Sequence, residues 1–161
     1  VSLKKLDNGE KMKIIIGSDH AGYDLRLAVI EKLRNENYEV IDCGTSNPNS
    51  SNYAVEGIKV GENVAQDKNA MGIVICGSGI GISIAVNKVR GIRCALVGTP
   101  ELAVLSRQHN DANVIALGAR FIDQECAFEC IEKFISTDFE GGRHEDRVDT
   151  IHDYEMCCVD C

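Results

Sequence analysis

The sequence has no apolar run long enough to span a bilayer, which sets aside a helical membrane protein. Residues 1–11 mix lysines and acids with no apolar segment among them, so they do not read as a secretory signal and are taken as an N-terminal extension. Positive charge is scarce: 17 Lys and Arg stand against 25 Asp and Glu, a net charge of −8. That balance argues against nucleic acid or an anionic membrane as a partner. An anion site in such a chain must gather its cations locally, so clustered arginines become informative. There are only two prolines, no internal repeat and no low-complexity stretch.

What remains is an ordinary globular composition. At 161 residues, 44% of them apolar, the chain fits one domain. Such a domain buries roughly two-thirds of its unfolded surface and needs neither disulfide nor metal to hold a core. The eight cysteines are many for this length. Cys43, Cys76 and Cys94 sit at or near the ends of apolar runs, and Cys126 and Cys130 are four apart on one face of an expected helix. They read as reduced core residues, which points to the cytoplasm. The terminal Cys158-x-x-Cys161 lacks the second pair that a structural zinc site needs, and the last five residues are taken as the disordered end of a C-terminal tail, 151–161.

Five apolar runs, at 13–17, 38–43, 72–76, 92–97 and 114–117, alternate with segments of helical period. Three of the runs are almost continuously apolar, as parallel strands buried on both faces are. The expected fold is a single-domain, three-layer α/β/α sandwich around a five-stranded parallel sheet, Rossmann-like in its winding. Ligands in such sheets bind beyond the carboxyl ends of the strands. Two polar or glycine-rich segments fall there: Ser18-Asp19-His20-Ala21-Gly22 after the first strand and Gly77-Ser78-Gly79-Ile80-Gly81 after the third.

The second segment carries three glycines in five residues, which lets backbone N–H groups approach a phosphate, a carboxylate or a developing oxyanion. It is neither the dinucleotide fingerprint, because Ile82 stands where the last glycine belongs, nor a P-loop. Cys76 ends the preceding strand and faces these donors. The alternative is a glycine turn beside an inert buried cysteine. Asp19 and His20 suit sugar hydroxyls or proton transfer, or else a helix cap and a solvated neighbour. His109, in Arg107-Gln108-His109-Asn110-Asp111, ends a helix that starts near Pro100 and descends about 13 Å along the sheet. It should therefore lie at the opposite end from Cys76, serving either no site or the site of a second subunit. Arg143 and Arg147 are four apart and share a face if helical; they chelate a phosphate or pair with Glu145 and Asp149.

Taken together, these segments resemble the B-type ribose-5-phosphate isomerases and the related galactose-6-phosphate isomerase subunits. The resemblance covers 12–150 and rests on residues 17–22, 75–83, 87–88, 91–93, 105–110 and 140–144. It implies an aldose–ketose isomerase of the pentose phosphate pathway that works through an enediolate and needs no cofactor and no metal. Cys76 would be the base and His109 would assist ring opening. Asp19, His20, Gly77, Ser78, Gly79, Ile80, Gly81, Asn110, Arg143 and Arg147 would bind substrate, the arginines at the phosphate, with Arg120 a lesser phosphate candidate. It also implies a homodimer with a shared site, a tetramer being the alternative. Where the family often has Asp-Tyr-Pro, this chain has Asn52-Tyr53-Ala54, and Tyr53 is kept as a ligand neighbour. A hexose-6-phosphate isomerase and a non-catalytic phosphosugar-binding module are the competing functions.

Overall fold

The computed structural model describes residues 12–157. The extension at 1–11 and the Cys158-x-x-Cys161 motif lie outside the described residues. All five expected strands are present: β1 (Lys13–Ser18), β2 (Glu39–Asp42), β3 (Ala70–Cys76), β4 (Cys94–Leu96) and β5 (Val114–Gly118). They form one parallel sheet in the order β2-β1-β3-β5-β4. The helices between them are α1 (Tyr23–Asn35), α2 (Tyr53–Gln66), α3 (Ile80–Val86), α4 (Pro100–Asn110) and α5 (Gln124–Ser136). A short 3₁₀ turn, Gly142–His144, leads into α6 (Glu145–Cys157).

The sheet divides the core in two. On one side, Val29, Ile30 and Leu33 of α1 and Ile131 and Phe134 of α5 pack against Ile14, Ile16, Ile73 and Ile75. On the other, Val60 and Val64 of α2 and Ile82 and Val86 of α3 pack against Ile15, Val74 and Ala116. β3 lies in the middle, and all seven of its residues, AMGIVIC, are buried. That is why its sequence is apolar throughout rather than alternating. α5 shows the cleanest stripe, with Ala127, Cys130, Ile131, Phe134 and Ile135 buried at helical spacing. Its start is fixed by Asp123, which accepts the Cys126 N–H. α1 has no clean apolar stripe, because Arg26 is one of its buried positions while Leu27 is exposed.

Two positions matter for the site. The chain leaves β1 toward β2 on one side and toward β3 on the other, so the β1/β3 boundary is the topological switch point where open α/β sheets form a crevice. At the far end of the chain, residues 145–157 form a helix with Glu145 and Asp146 in its first turn, where acids favour helix initiation. The boundary expected at residue 150 thus falls inside α6. This helix buries none of its residues against the chain, and it leaves Ile151, Tyr154 and Met156 exposed.

Candidate active site

Asp19 follows β1 and Cys76 ends β3, so both stand at the switch point. A cavity of about 350 Å³ opens there, lined by Asp19, Tyr53, Cys76, Gly77, Ser78, Gly81, Arg120 and Phe121. Its size suits a small metabolite. Cys76 is 4% exposed and forms part of the cavity wall. Its Sγ accepts a hydrogen bond from the Gly79 N–H at 3.2 Å. Gly79 has φ of +78°, and a Cβ there would stand 2.9 Å from the Leu117 carbonyl carbon and 3.0 Å from the Gly118 nitrogen. Both the handedness and the close approach require glycine. Gly81 lies under the Tyr53 ring, where a Cβ would meet ring carbons at 2.7 Å. The Ile80 N–H goes to the Ser78 hydroxyl at 3.2 Å. Two of the amides expected to face substrate are therefore engaged within the loop, one of them in holding the thiol.

Three cysteines outside the cleft have raised thiol pKa values. Burial pushes the Cys94 thiol up strongly. Burial, followed by the Cys126 thiol, pushes Cys130 up to about 12. Burial, with Asp42 adding to it, raises Cys43. These are inert protonated thiols.

Asp19 is buried and its Oδ1 accepts the N–H groups of Ala21 and Gly22 at 3.0 and 3.1 Å, shaping the turn into α1. Asp19 therefore does not cap α1, whose N-cap is Gly22 without a side-chain cap bond; its carboxylate holds the turn that precedes the helix. His20 is oriented by the Ser51 N–H, which donates to Nδ1 at 3.2 Å. A neutral imidazole with Nδ1 as acceptor carries its proton on Nε2, so His20 presents a donor at its other nitrogen. Sequence reasoning missed Arg26, which is 2% exposed. It donates to Ser18 Oγ at 3.0 Å and to the Thr45 carbonyl at 2.5 Å, with Asp42 at 3.4 Å. It therefore ties the end of β1 to the loop that carries Ser51. Nothing in the helical pattern distinguishes a buried arginine from an exposed one.

The remaining expected residues form a second cluster. β3 and β5 run in register from Gly72↔Val114 to Cys76↔Gly118. Residues 111–113 join α4 directly to the start of β5, so His109 and Asn110 lie at the amino end of the sheet. Four strand residues, about 13 Å, separate that end from Cys76. The His109 ring stacks on His144, with centroids 4.2 Å apart and planes 13° apart. Desolvation, then the His109 ring and the Arg143 charge, hold the His144 pKa below the ordinary histidine value. Arg143 sits in the 3₁₀ turn and Arg147 in α6; Arg147 donates to the Arg143 carbonyl. Both are exposed, and neither forms an ion pair among the described residues. The pairing with Glu145 or Asp149 is absent, which leaves two guanidiniums available to an anion.

A doubly wound sheet with an open cleft at its switch point has the architecture of proteins that bind small ligands at the carboxyl ends of their strands. The family is more definite. Residues 14–151 match the model of the family described as Ribose/Galactose Isomerase, and the chain belongs to it. It is 42% identical over 139 residues to ribose-5-phosphate isomerase B of Escherichia coli, a match that covers 86% of this chain and 93% of that one. The structure of the Clostridium thermocellum ribose-5-phosphate isomerase B superposes with a TM-score of 0.88 at 45% identity, over 92% of this chain and all of that one. The Mycoplasma genitalium enzyme, solved with bound ribulose-5-phosphate, superposes with a TM-score of 0.86 at 37% identity, over 89% of this chain and 96% of that one.

Proposed function

We propose that this chain interconverts ribose 5-phosphate and ribulose 5-phosphate, with Cys76 as the base, in a site shared between two copies of the chain. The observation that carries this reading is the split of the candidate residues. Asp19, His20, Tyr53, Cys76 and Arg120 are grouped at the carboxyl end of the sheet, and His109, Asn110, Arg143 and Arg147 at the amino end. Neither group alone binds a sugar, moves a proton and neutralises a phosphate. Two antiparallel copies bring unlike ends together twice, as an isologous dimer does. The unburied α6, with Ile151, Tyr154 and Met156 exposed, and the exposed Ile80, Ile84 and Leu96 beside the cleft supply apolar surface for that contact.

In the shared site the open-chain aldose lies in the Cys76 cleft with its hydroxyls on Asp19 and His20. Its phosphate reaches Arg120 and the second copy's two arginines, and that copy's His109 assists opening of the furanose ring. The Cys76 thiolate takes the C2 proton, the C2–H electron pair forms the C1–C2 double bond, and the carbonyl π pair moves onto the C1 oxygen. The loop amides not already engaged and the Ser78 hydroxyl hold that oxyanion. Return of the proton to C1, with loss of the O2 proton and protonation of O1, gives the ketose. No cofactor takes part in these steps. Free thiols at all six described cysteines support a cytoplasmic setting.

Coupled turnover of ribose 5-phosphate tests the proposal. Cys76→Ala should abolish turnover while the melting temperature is retained. Substantial residual turnover removes the thiol from the mechanism. A parallel panel with allose and galactose 6-phosphates decides substrate length.

A further inference from the structure

The second cluster contains a group of donors of which the isomerase reading uses only His109. His109 and His144 each offer a ring nitrogen and Glu140 a carboxylate oxygen, and these atoms all lie within 4.8 Å of one another. Glu140 Oε2 is 3.7 Å from His144 Nε2. Three separate pieces of backbone bring them together. His109 is on the last turn of α4. The Glu140 N–H docks on the Gln108 carbonyl at 3.1 Å. His144 follows Gly141 and Gly142, whose φ values of +65° and +58° turn the chain back over α4.

We propose that His109, Glu140 and His144 form a binding site for a borderline divalent transition cation such as Zn²⁺, and that an ion held there inhibits the enzyme by engaging His109. Two imidazoles and a carboxylate suit zinc and its neighbours, whereas magnesium and calcium take oxygen donors. Around zinc at its usual bond lengths of roughly 2.0–2.2 Å, tetrahedral donors stand about 3.3 Å apart. The group must therefore close from at most 4.8 Å. Glu140, half exposed on a flexible stem, supplies most of that movement, and the stacked rings tilt together at their metal-facing edges. Three protein donors leave a fourth position open for water or an anion. Arg143 and Arg147 are the cations nearest the site and oppose a metal; Glu140 offsets part of their charge. Site occupancy therefore depends on Glu140 more than a carboxylate's share of the bonds alone would require.

The inhibitory half rests on the ring-opening role proposed for His109. Crystals of the full chain soaked in Zn²⁺ and measured at the zinc edge give the first readout. An anomalous peak among His109, Glu140 and His144, retained in Cys76→Ala crystals, is expected. The second readout is turnover against Zn²⁺ concentration. Glu140→Gln should keep basal turnover and require roughly 10- to 100-fold more Zn²⁺ for the same inhibition. Zinc only at Cys76 or Cys157, or equal sensitivity of the wild type and Glu140→Gln, overturns the site. Zinc at the three residues with undiminished turnover of the ring-closed sugar keeps the site but overturns the inhibition, and counts against the ring-opening role of His109.

Discussion

Replacing Gly79 with alanine isolates what the glycine loop does for Cys76. At φ +78° an L residue costs about 1–2 kcal/mol. The new Cβ also meets the Leu96 side chain at 2.5 Å, which can move, and the β5 backbone at 2.9 and 3.0 Å, which cannot. Overpacking against fixed backbone adds about 1–3 kcal/mol. The sum, about 2–5 kcal/mol, is smaller than the roughly 5–15 kcal/mol stability of a typical domain, so the variant folds. At about 2–4 °C per kcal/mol for a chain of this size, calorimetry should show a melting temperature lower by about 4–20 °C. The loop must shift to relieve the contact, and the Gly79 N–H moves off the Cys76 sulfur it now meets at 3.2 Å. A displacement near 1 Å at reacting groups costs about 100-fold in rate, and coupled turnover should fall by that order. Gly91 supplies the control. Its φ is +84° but nothing lies within 4 Å of a Cβ there, so Gly91→Ala carries only the strain and keeps its turnover. Equal destabilisation of the two variants, or wild-type turnover in Gly79→Ala, would refute the reasoning.

Arg26→Met removes the donors to Ser18 and Thr45 from a buried position and should cost about 1–3 kcal/mol in urea denaturation. Because it frees the loop that orients His20, KM for the sugar phosphate should rise more than kcat falls; a proportional fall in both would place Arg26 outside substrate positioning. His144 should titrate below the ordinary histidine value of 6.5 in an NMR pH series. The unfolded chain then takes up this proton first, so His144 contributes a loss of stability as pH falls through 6.5 toward its lower folded value, and His144→Asn should remove that part of the acid sensitivity.

The sheet was legible in the chain because its central strands are apolar on both faces; β3, with seven buried residues in a row, is the plainest case. The strand order was not, since periodicity says which residues are buried and not which strand lies beside which. The distance between His109 and Cys76 could be anticipated from helix rise alone, because α4 had to run the height of the sheet before β5 could begin. Most of α6 falls in the stretch expected as a tail, 151–161, because its polar sequence lacks a buried stripe; the structure shows a helix that buries none of its residues but is tied to the chain by the Glu155 carboxylate, which accepts the Gly91 N–H at 3.0 Å. Arg26 and Ser51 escaped for a different reason. One is a charged residue in a helix and the other a backbone donor in a polar loop, and only three-dimensional placement gives either a role.

Under the shared-site dimer proposed above, the separation of the two residue groups to opposite ends of the sheet has a genetic consequence. An allele that loses Cys76 and one that loses His109 damage different halves of each composite site. In a cell carrying both, random pairing makes about half of the dimers mixed. Each mixed dimer gathers both lesions into one site and leaves the other whole, so about a quarter of all sites remain competent. Two alleles that are each null alone would then complement one another, whereas two alleles damaged at the same end would not.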